Sequence, residues 1–385
     1  MKRVYLDYAS LTPVDKGVLK EMNKYSTKNY TNSSAFYASA VKARKAIESA
    51  KDRIAKVLHA HADEIIFTSG GTESNNLVLR SFEDKNIIIS EIEHSSIIEN
   101  AKTIGNAKVI RVHVGENGII NLEELKRTIT SETMLVSIMM VNNEIGSVQP
   151  IREIAKIVRD ARKKSVKDNE DKNYKYPLLH TDACQAMYLP LYVEKLGIDI
   201  MTLDGNKIYG PRGVGMLYIK RGTVKISRPG TENISGIMGF ATALEIADKM
   251  REKEHRRLIE LKDFFIKGLY EKNKDIKVIN GQGENDYQAN KHIKINGVLE
   301  GTSPHILNIS IPNIDNDFFI LQLSHRGVEC STKSACLNDK DESYVLNVIG
   351  AQSKHSVRFS FGRDTTKSDI KYALKKIDEI LEKTL

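Results

Sequence analysis

Lys207 stands in the stretch Leu203-Asp204-Gly205-Asn206-Lys207-Ile208-Tyr209-Gly210-Pro211-Arg212-Gly213-Val214-Gly215, a turn between two apolar, strand-like runs. A lysine held at a strand end, with glycines on both sides that let the backbone crowd a ligand, suits Schiff-base chemistry with an aldehyde cofactor. Taken alone, the stretch reads equally well as a surface lysine in a glycine turn. Further motifs tip the reading toward the cofactor.

Thr68-Ser69-Gly70-Gly71-Thr72-Glu73-Ser74-Asn75-Asn76 follows a strand-like run and opens a helical one. Backbone N–H groups about Gly71 and the Thr72 hydroxyl can converge there on an anion such as a phosphate. The plainer alternative is a capped helix after a glycine turn. In His180-Thr181-Asp182-Ala183-Cys184-Gln185 an apolar strand ends in a carboxylate, which wants a cationic partner such as a protonated pyridine nitrogen. Otherwise Asp182 caps the next turn. Val141-Asn142-Asn143-Glu144-Ile145-Gly146 and Glu93-His94-Ser95-Ser96 place polar groups after strands, on the side where Lys207 is expected. A single histidine such as His94 is more often structural than catalytic. Around Cys336, the run from Cys330 to Tyr344 has little apolar content, which suits a thiol on a mobile loop, with Lys333 favouring the thiolate. A buried, inert thiol would sit in apolar surroundings instead.

The elements that must position these residues follow from periodicity. Residues 38–58 recur at helical spacing, and residues 64–68 read as a short buried strand. Short apolar runs at 86–90, 108–112, 134–140, 178–181, 198–203 and 215–219 then alternate with helical patterns such as 151–163. That alternation predicts an α/β domain with a largely parallel sheet, in which ligands bind beyond the strand ends. A charged helical pattern over 235–272 leads to a smaller α+β unit with strands at 275–280, 306–311, 328–330 and 356–360 and a helix after Ser368. The boundary is expected near Asp248, giving a large domain over 1–248 and a small one over 249–385, with residues 1–14 packing on the small domain. Residues 163–176, dense in Lys, Asp and Asn, read as a solvated surface insertion.

The chain has 385 residues, 41% of them hydrophobic, enough for two domains with substantial cores. No apolar run approaches the ~20 residues that cross a bilayer, and the first residues, Met-Lys-Arg-Val-Tyr-Leu-Asp, have no signal-peptide core, so a cytoplasmic location without membrane attachment is expected. Three cysteines, Cys184, Cys330 and Cys336, cannot form a disulfide framework and favour a reducing compartment. The formal net charge of +8 comes from lysines and arginines that alternate with acidic residues along helical faces, so no direct nucleic-acid binding is expected. No metal site is expected.

In order along the chain, these motifs resemble those of the cysteine desulfurases, in the class V aminotransferase family of fold type I enzymes. The resemblance runs nearly end to end, from Tyr5-Leu6-Asp7-Tyr8-Ala9 to Ser356-Val357-Arg358-Phe359-Ser360-Phe361-Gly362-Arg363. It implies pyridoxal 5'-phosphate as cofactor, linked to Lys207, with Asp182 on the pyridinium nitrogen and Gln185 on the phenolic oxygen. It implies that His94 stacks on the ring and assists proton transfer, and that Gly71 and Thr72 bind the phosphate. Thr231 would reach the phosphate of the neighbouring subunit in a homodimer, and Asn143 with Arg358 would hold the carboxylate of L-cysteine, a carboxylate that the guanidinium fork suits. The implied reaction turns L-cysteine into L-alanine and leaves a persulfide on Cys336, for delivery to an iron–sulfur scaffold or a tRNA-thiolation enzyme.

Three departures from the family pattern accompany the resemblance. Asp204 and Asn206 stand where the family usually has Ser and His, both helping to bind phosphate. A carboxylate about 4 Å from a phosphate costs roughly 4 kcal/mol per unit charge at an effective dielectric of about 20. The segment from Gly222 to Gly230 is short, and Asn32-Ser33-Ser34-Ala35-Phe36-Tyr37 lacks the usual proline and histidine. Two alternatives follow: another lyase or transaminase of the same fold, such as a selenocysteine lyase, and a non-catalytic homologue that serves as a binding partner.

Overall fold

The computed structural model describes residues 2–169, 175–272, 293–332 and 342–384. Strand β1 (Val4–Tyr5) opens the chain, followed by helices α1 (Lys16–Thr27) and α2 (Ala38–Leu58). In α2 the buried Ala40, Ala43, Ile47, Ala50, Ile54 and Leu58 recur at helical spacing, and His59, left-handed at φ 55°, stops the helix. Then come β2 (Ile65–Thr68), α3 (Gly71–Arg80), β3 (Asn86–Ser90), α4 (Ser95–Ala101), β4 (Val109–Val112), α5 (Leu122–Thr128) and β5 (Thr133–Ser137). They are followed by α6 (Ile151–Asn169), β6 (Leu178–Asp182), α7 (Val193–Leu196), β7 (Ile200–Asp204) and β8 (Gly215–Ile219). The remainder comprises α8 (Ile234–Lys272), β9 (Lys294–Ile295), β10 (Ile306–Ser310), α9 (Asn316–His325), β11 (Val328–Glu329), α10 (Tyr344–Val348), β12 (Ser356–Ser360) and α11 (Lys367–Thr384).

The alternating segment forms a seven-stranded sheet of order β2-β8-β7-β6-β5-β3-β4. Strands β4, β3, β5, β6 and β7 are parallel, and β8 is antiparallel to both of its neighbours. Ile87, Ile88 and Ile89 of β3 have no exposure to solvent, as a parallel strand covered on both faces requires. This is the α/β architecture with a largely parallel sheet that the alternation predicts, and it leaves the carboxyl ends of the strands as the place for a ligand.

Helix α8 contains 39 residues and is roughly 58 Å long at 1.5 Å per residue. Its first part buries Ile237, Phe240 and Leu244 and packs with α1 and α2, while its later part buries Leu258, Phe265 and Leu269. Phe265 meets Phe359 of β12 at a ring-centroid distance of 4.9 Å. One helix thus spans from the seven-stranded sheet to the three-stranded antiparallel sheet β12-β10-β9, and β1 pairs in parallel with β11. Asp248 falls inside this helix.

Most strand bounds differ from the sequence expectations by a residue or two, and the structure departs further in two places. Strand β5 stops at Ser137 rather than running to residue 140, because the Met139 N–H turns to the buried carboxylate of Glu93. On either side, the N–H groups of Ile138 and Met140 still bond the carbonyls of His180 and Asp182. The first part of the expected surface insertion is helical, since α6 continues to Asn169. The strand expected at 275–280 lies outside the described residues.

Gly70 and Gly215 meet where β8 passes the turn that precedes α3. A Cβ on Gly215 would lie 2.7 Å from Gly70 Cα and 2.8 Å from Leu203 O, and Gly70 itself has φ 153°, a conformation that side chains rarely adopt. Replacing Gly215 by Ala is expected to lower stability by about 1–3 kcal/mol, as overpacking between backbones does. Urea unfolding checks this, and an unchanged midpoint contradicts it.

Candidate active site

A cleft lies beyond the carboxyl ends of β6 and β7, where ligands of open α/β sheets bind. Four segments build it. Strand β6 brings Asp182 and, just after it, Cys184 and Gln185; the end of β7 and the turn after it bring Asp204, Asn206 and Lys207; the start of α3 brings Gly71, Thr72 and Asn75; and His94 enters from the loop after β3. Asn143, Arg358 of β12 and the N-terminal residues Ala9 and Ser10 close the other side.

One hydrogen-bonded chain ties the acid to the imidazole. Asn75 Nδ2 donates to Asp182 Oδ2 at 2.7 Å and also to Ser96 Oγ at 2.9 Å. Ser96 Oγ lies 2.8 Å from His94 Nδ1, and the Ser96 N–H donates to the same nitrogen at 3.2 Å. With Nδ1 accepting from a backbone amide, the neutral ring carries its proton on Nε2. The other oxygen of Asp182 accepts from the Cys184 N–H at 2.9 Å, so the carboxylate is fixed at both ends while only 6% exposed. Neither Asn75 nor Ser96 has a sequence-level role, although both lie inside motifs that the spacing singles out.

Lys207 Nζ donates to the carbonyls of Ala9 at 2.9 Å and Ser10 at 2.6 Å. Gln185 Nε2 donates to the same Ala9 carbonyl at 2.8 Å, and its Oε1 lies 3.2 Å from His305 Nε2. Burial and the cations of Lys262, Arg358 and Lys207 push the His305 imidazole down to about 3, so it is neutral and donates from Nε2. His305 is a part of the site that sequence reasoning misses, since nothing in its local pattern marks it. Arg358 is 1% exposed and is spread over three partners: Asn143 O at 2.8 Å, Asp7 Oδ1 at 2.8 Å and Ser10 Oγ at 2.7 Å.

Asp204 enters the anion cradle itself. Its Oδ2 accepts from the Gly71 N–H at 2.8 Å and its Oδ1 from the Asn206 N–H at 3.0 Å. Thr72 lines the cleft at the same end. Thr231 does not line this cleft; it borders a second one with Ser33, Arg44, Arg228 and Glu232. Cys336 and Lys333 lie outside the described residues.

Two thiols and a second buried imidazole are held neutral. Desolvation raises the thiol of Cys184 well above its ordinary value, helped by the nearby Asp182 and Asp204 carboxylates, and burial likewise raises Cys330. His180, buried between Ser137 Oγ and Thr202 Oγ1, is lowered to about 4 by burial. Among the described residues no group of His, Cys, Asp and Glu is arranged to hold a metal ion.

The residues fit pyridoxal 5'-phosphate. Asn75 Oδ1, Asn206 Oδ1 and Arg358 Nε, all on residues that line the cleft, are buried polar atoms without a hydrogen-bond partner among the described residues, which marks a site built for a polar ligand. A lysine amine, a fixed carboxylate and an imidazole converge beyond the ends of parallel strands, beside a helix N-terminus. That combination of fold and site defines the fold type I class of pyridoxal-phosphate enzymes.

The family model for class-V aminotransferases matches residues 4–373. A cysteine desulfurase, IscS, from Dictyoglomus turgidum is 35% identical over 410 aligned positions that cover 100% of this chain and 96% of the relative. A solved NifS-like protein superposes with a TM-score of 0.84 at 31% identity, covering 99% of both chains. A solved structure of SspA in complex with cysteine gives 0.69 at 27% identity, over 93% of this chain and 98% of that one. The chain belongs to the class-V aminotransferase family and, within it, to the cysteine desulfurases.

Glu93, next to His94, supplies a pH prediction. It is 0% exposed, and burial pushes its carboxyl up to about 8 against an ordinary 4.5, while Ser90 Oγ and the Met139 N–H both bond Oε1. The folded state therefore holds a proton that the unfolded chain has released above about pH 4.5. This contribution is fully present below the unfolded value and is lost as pH rises through about 8. Thermal unfolding from pH 5 to 9 is expected to show wild-type stability falling more steeply than that of Glu93→Gln. Parallel profiles would contradict the assignment.

Proposed function

We propose that this chain is a cytoplasmic, homodimeric cysteine desulfurase that converts L-cysteine to L-alanine and passes the sulfur, held as a persulfide on Cys336, to an iron–sulfur scaffold protein. The observation that carries the reading is the convergence of Lys207, Asp182, His94 and Arg358 on one cleft in a chain related end to end to cysteine desulfurases. Bound in that cleft, the cofactor supplies an electrophilic carbon and an electron-withdrawing ring.

The chain's own groups then have distinct tasks. Lys207 supplies the amine to which the cofactor is linked. Its hold on the Ala9 and Ser10 carbonyls keeps Nζ within the cleft. Asp182, fixed by Asn75 and Cys184, is oriented to keep a proton on the ring nitrogen. His94, with its proton on Nε2, would lie against the ring and carry a proton during the reaction. Gln185 would hold the phenolic oxygen and Thr72 the phosphate. Arg358 pairs with the carboxylate of L-cysteine through its guanidinium fork, whose Nη2 now meets Asp7 and Ser10 and whose Nε has no partner among the described residues. Asn143, whose carbonyl accepts from Arg358, sets the angle of that fork.

The Cys336 thiolate attacks the substrate sulfur. A sulfur–sulfur bond forms, the carbon–sulfur bond breaks with its electron pair left on the carbon side, and that carbon takes a proton and leaves as alanine. Cys184 and Cys330 are poorly suited to this step because their surroundings keep them protonated. The dimer reading draws support from the aromatic residues Tyr30 (72% exposed), Phe36 (96%) and Tyr37 (56%) in a loop tied to Glu232 through Ser33. Thr231 is next to Glu232, so a second copy seated there would bring it toward the partner's cleft. Among the described residues no helix is long and apolar enough to cross a membrane.

Replacing Cys336 by Ser is expected to cut alanine formation from L-cysteine by about a hundredfold or more, close to 3 kcal/mol, while the visible band of the bound cofactor remains. Alanine release at the wild-type rate would contradict the reading and favour another lyase of this fold.

A further inference from the structure

The carboxylate of Asp204 occupies the position an anion would take at the N-terminus of α3. Its Oδ2 accepts from the Gly71 N–H at 2.8 Å, and a Cβ built on Gly70 or Gly71 would lie 3.1 or 3.4 Å from that same oxygen. A side chain at Gly70 would crowd that oxygen and one at Gly71 would press on Cys184 Sγ at 2.9 Å, so the two glycines let the carboxylate reach the Gly71 N–H. Its second oxygen caps the turn that carries Lys207, through the Asn206 N–H at 3.0 Å. We propose that Asp204 is a built-in competitor for the phosphate of pyridoxal 5'-phosphate: the cofactor enters only by displacing this carboxylate from Gly71, so the enzyme holds its cofactor loosely and exchanges it.

The inference rests on the pyridoxal-phosphate reading and deepens it. A phosphate seated on the Gly71 N–H while Asp204 stayed in place would put two anions within about 4 Å of each other, at a cost of up to about a thousandfold in affinity. Desolvation pushes the Asp204 carboxyl above its ordinary value, and the two backbone N–H groups and Lys207 offset that only in part. Glu73 cannot substitute for it, because Glu73 takes the Ser69 N–H and pairs with Arg228 at 3.0 Å on the far side of the turn. When Oδ2 swings away, Oδ1 can keep the Asn206 N–H and with it the turn that presents Lys207. This separates loading of the phosphate end from placement of the lysine.

The test measures equilibrium binding to the full-length apoprotein by fluorescence titration, with three probes: pyridoxal 5'-phosphate, pyridoxal without the phosphate, and inorganic phosphate. Asp204→Ser keeps an acceptor for Asn206, and Asp204→Asn keeps the shape while removing the charge. Both variants are expected to bind pyridoxal 5'-phosphate ten- to a thousandfold more tightly than wild type, to release it more slowly into a scavenger, and to bind pyridoxal within about threefold of wild type. Tightening for inorganic phosphate, even if no variant binds pyridoxal 5'-phosphate, supports competition at the cradle while overturning the cofactor reading. Unchanged or weaker binding of both phosphate probes in both variants overturns the proposal, and equal tightening for pyridoxal overturns the assignment to the phosphate end.

Discussion

The structure depends on how four charged groups share one cleft. Lys207 and Arg358 bring positive charge and Asp182 and Asp204 negative charge, while Asp7 pairs with Arg358 from outside the lining. None could sit so far from water without partners, since an unmatched buried charge costs several kcal/mol. Arg358 answers Asp7 at 2.8 Å, Asp182 is held by Asn75 and the Cys184 amide, and Lys207 rests on two backbone carbonyls. These bonds bind the N-terminal segment to the ends of β6 and β7 and to β12, so the cleft exists only when distant parts of the chain have come together. Loss of one partner would leave its mate uncompensated, which is how a polar network of this kind specifies a single arrangement.

The parallel sheet supplies the frame. Its strands end on one side, so residues that follow them in sequence are delivered to the same crevice without further instruction. Helix α8 couples that frame to the three-stranded sheet through Phe265, Phe359 and Phe361, and β12 thereby brings Arg358 to the far wall. Glycines at the crossing of β8 and the turn before α3 let the two backbones approach closely enough to put Asp204 against Gly71.

Much of this is legible in the sequence where the signal is local. The apolar period gives α2 its bounds to the residue, and the strand runs at 86–90, 215–219 and 356–360 are the observed β3, β8 and β12. The glycine turn around Lys207 and the polar ends of strands point to one crevice for the same reason, and these residues converge there. What the sequence hides is long-range pairing. Asn75 bonds Ser96 and Asp182, 21 and 107 positions away, and Arg358 meets Asp7 across 351. No periodicity encodes such partners. Strand β5 ends early because of a buried carboxylate donated by another loop, and the direction taken by the Asp204 side chain depends on a glycine 133 positions earlier.

The most direct test is to find where the cofactor is attached. Wild-type protein loaded with pyridoxal 5'-phosphate is reduced with borohydride, digested, and mapped by mass spectrometry. The account predicts one phosphopyridoxyl group per chain, on Lys207, with none after L-cysteine has been added in excess before reduction. A label on another lysine, or no label on Lys207 under saturating cofactor, would contradict it.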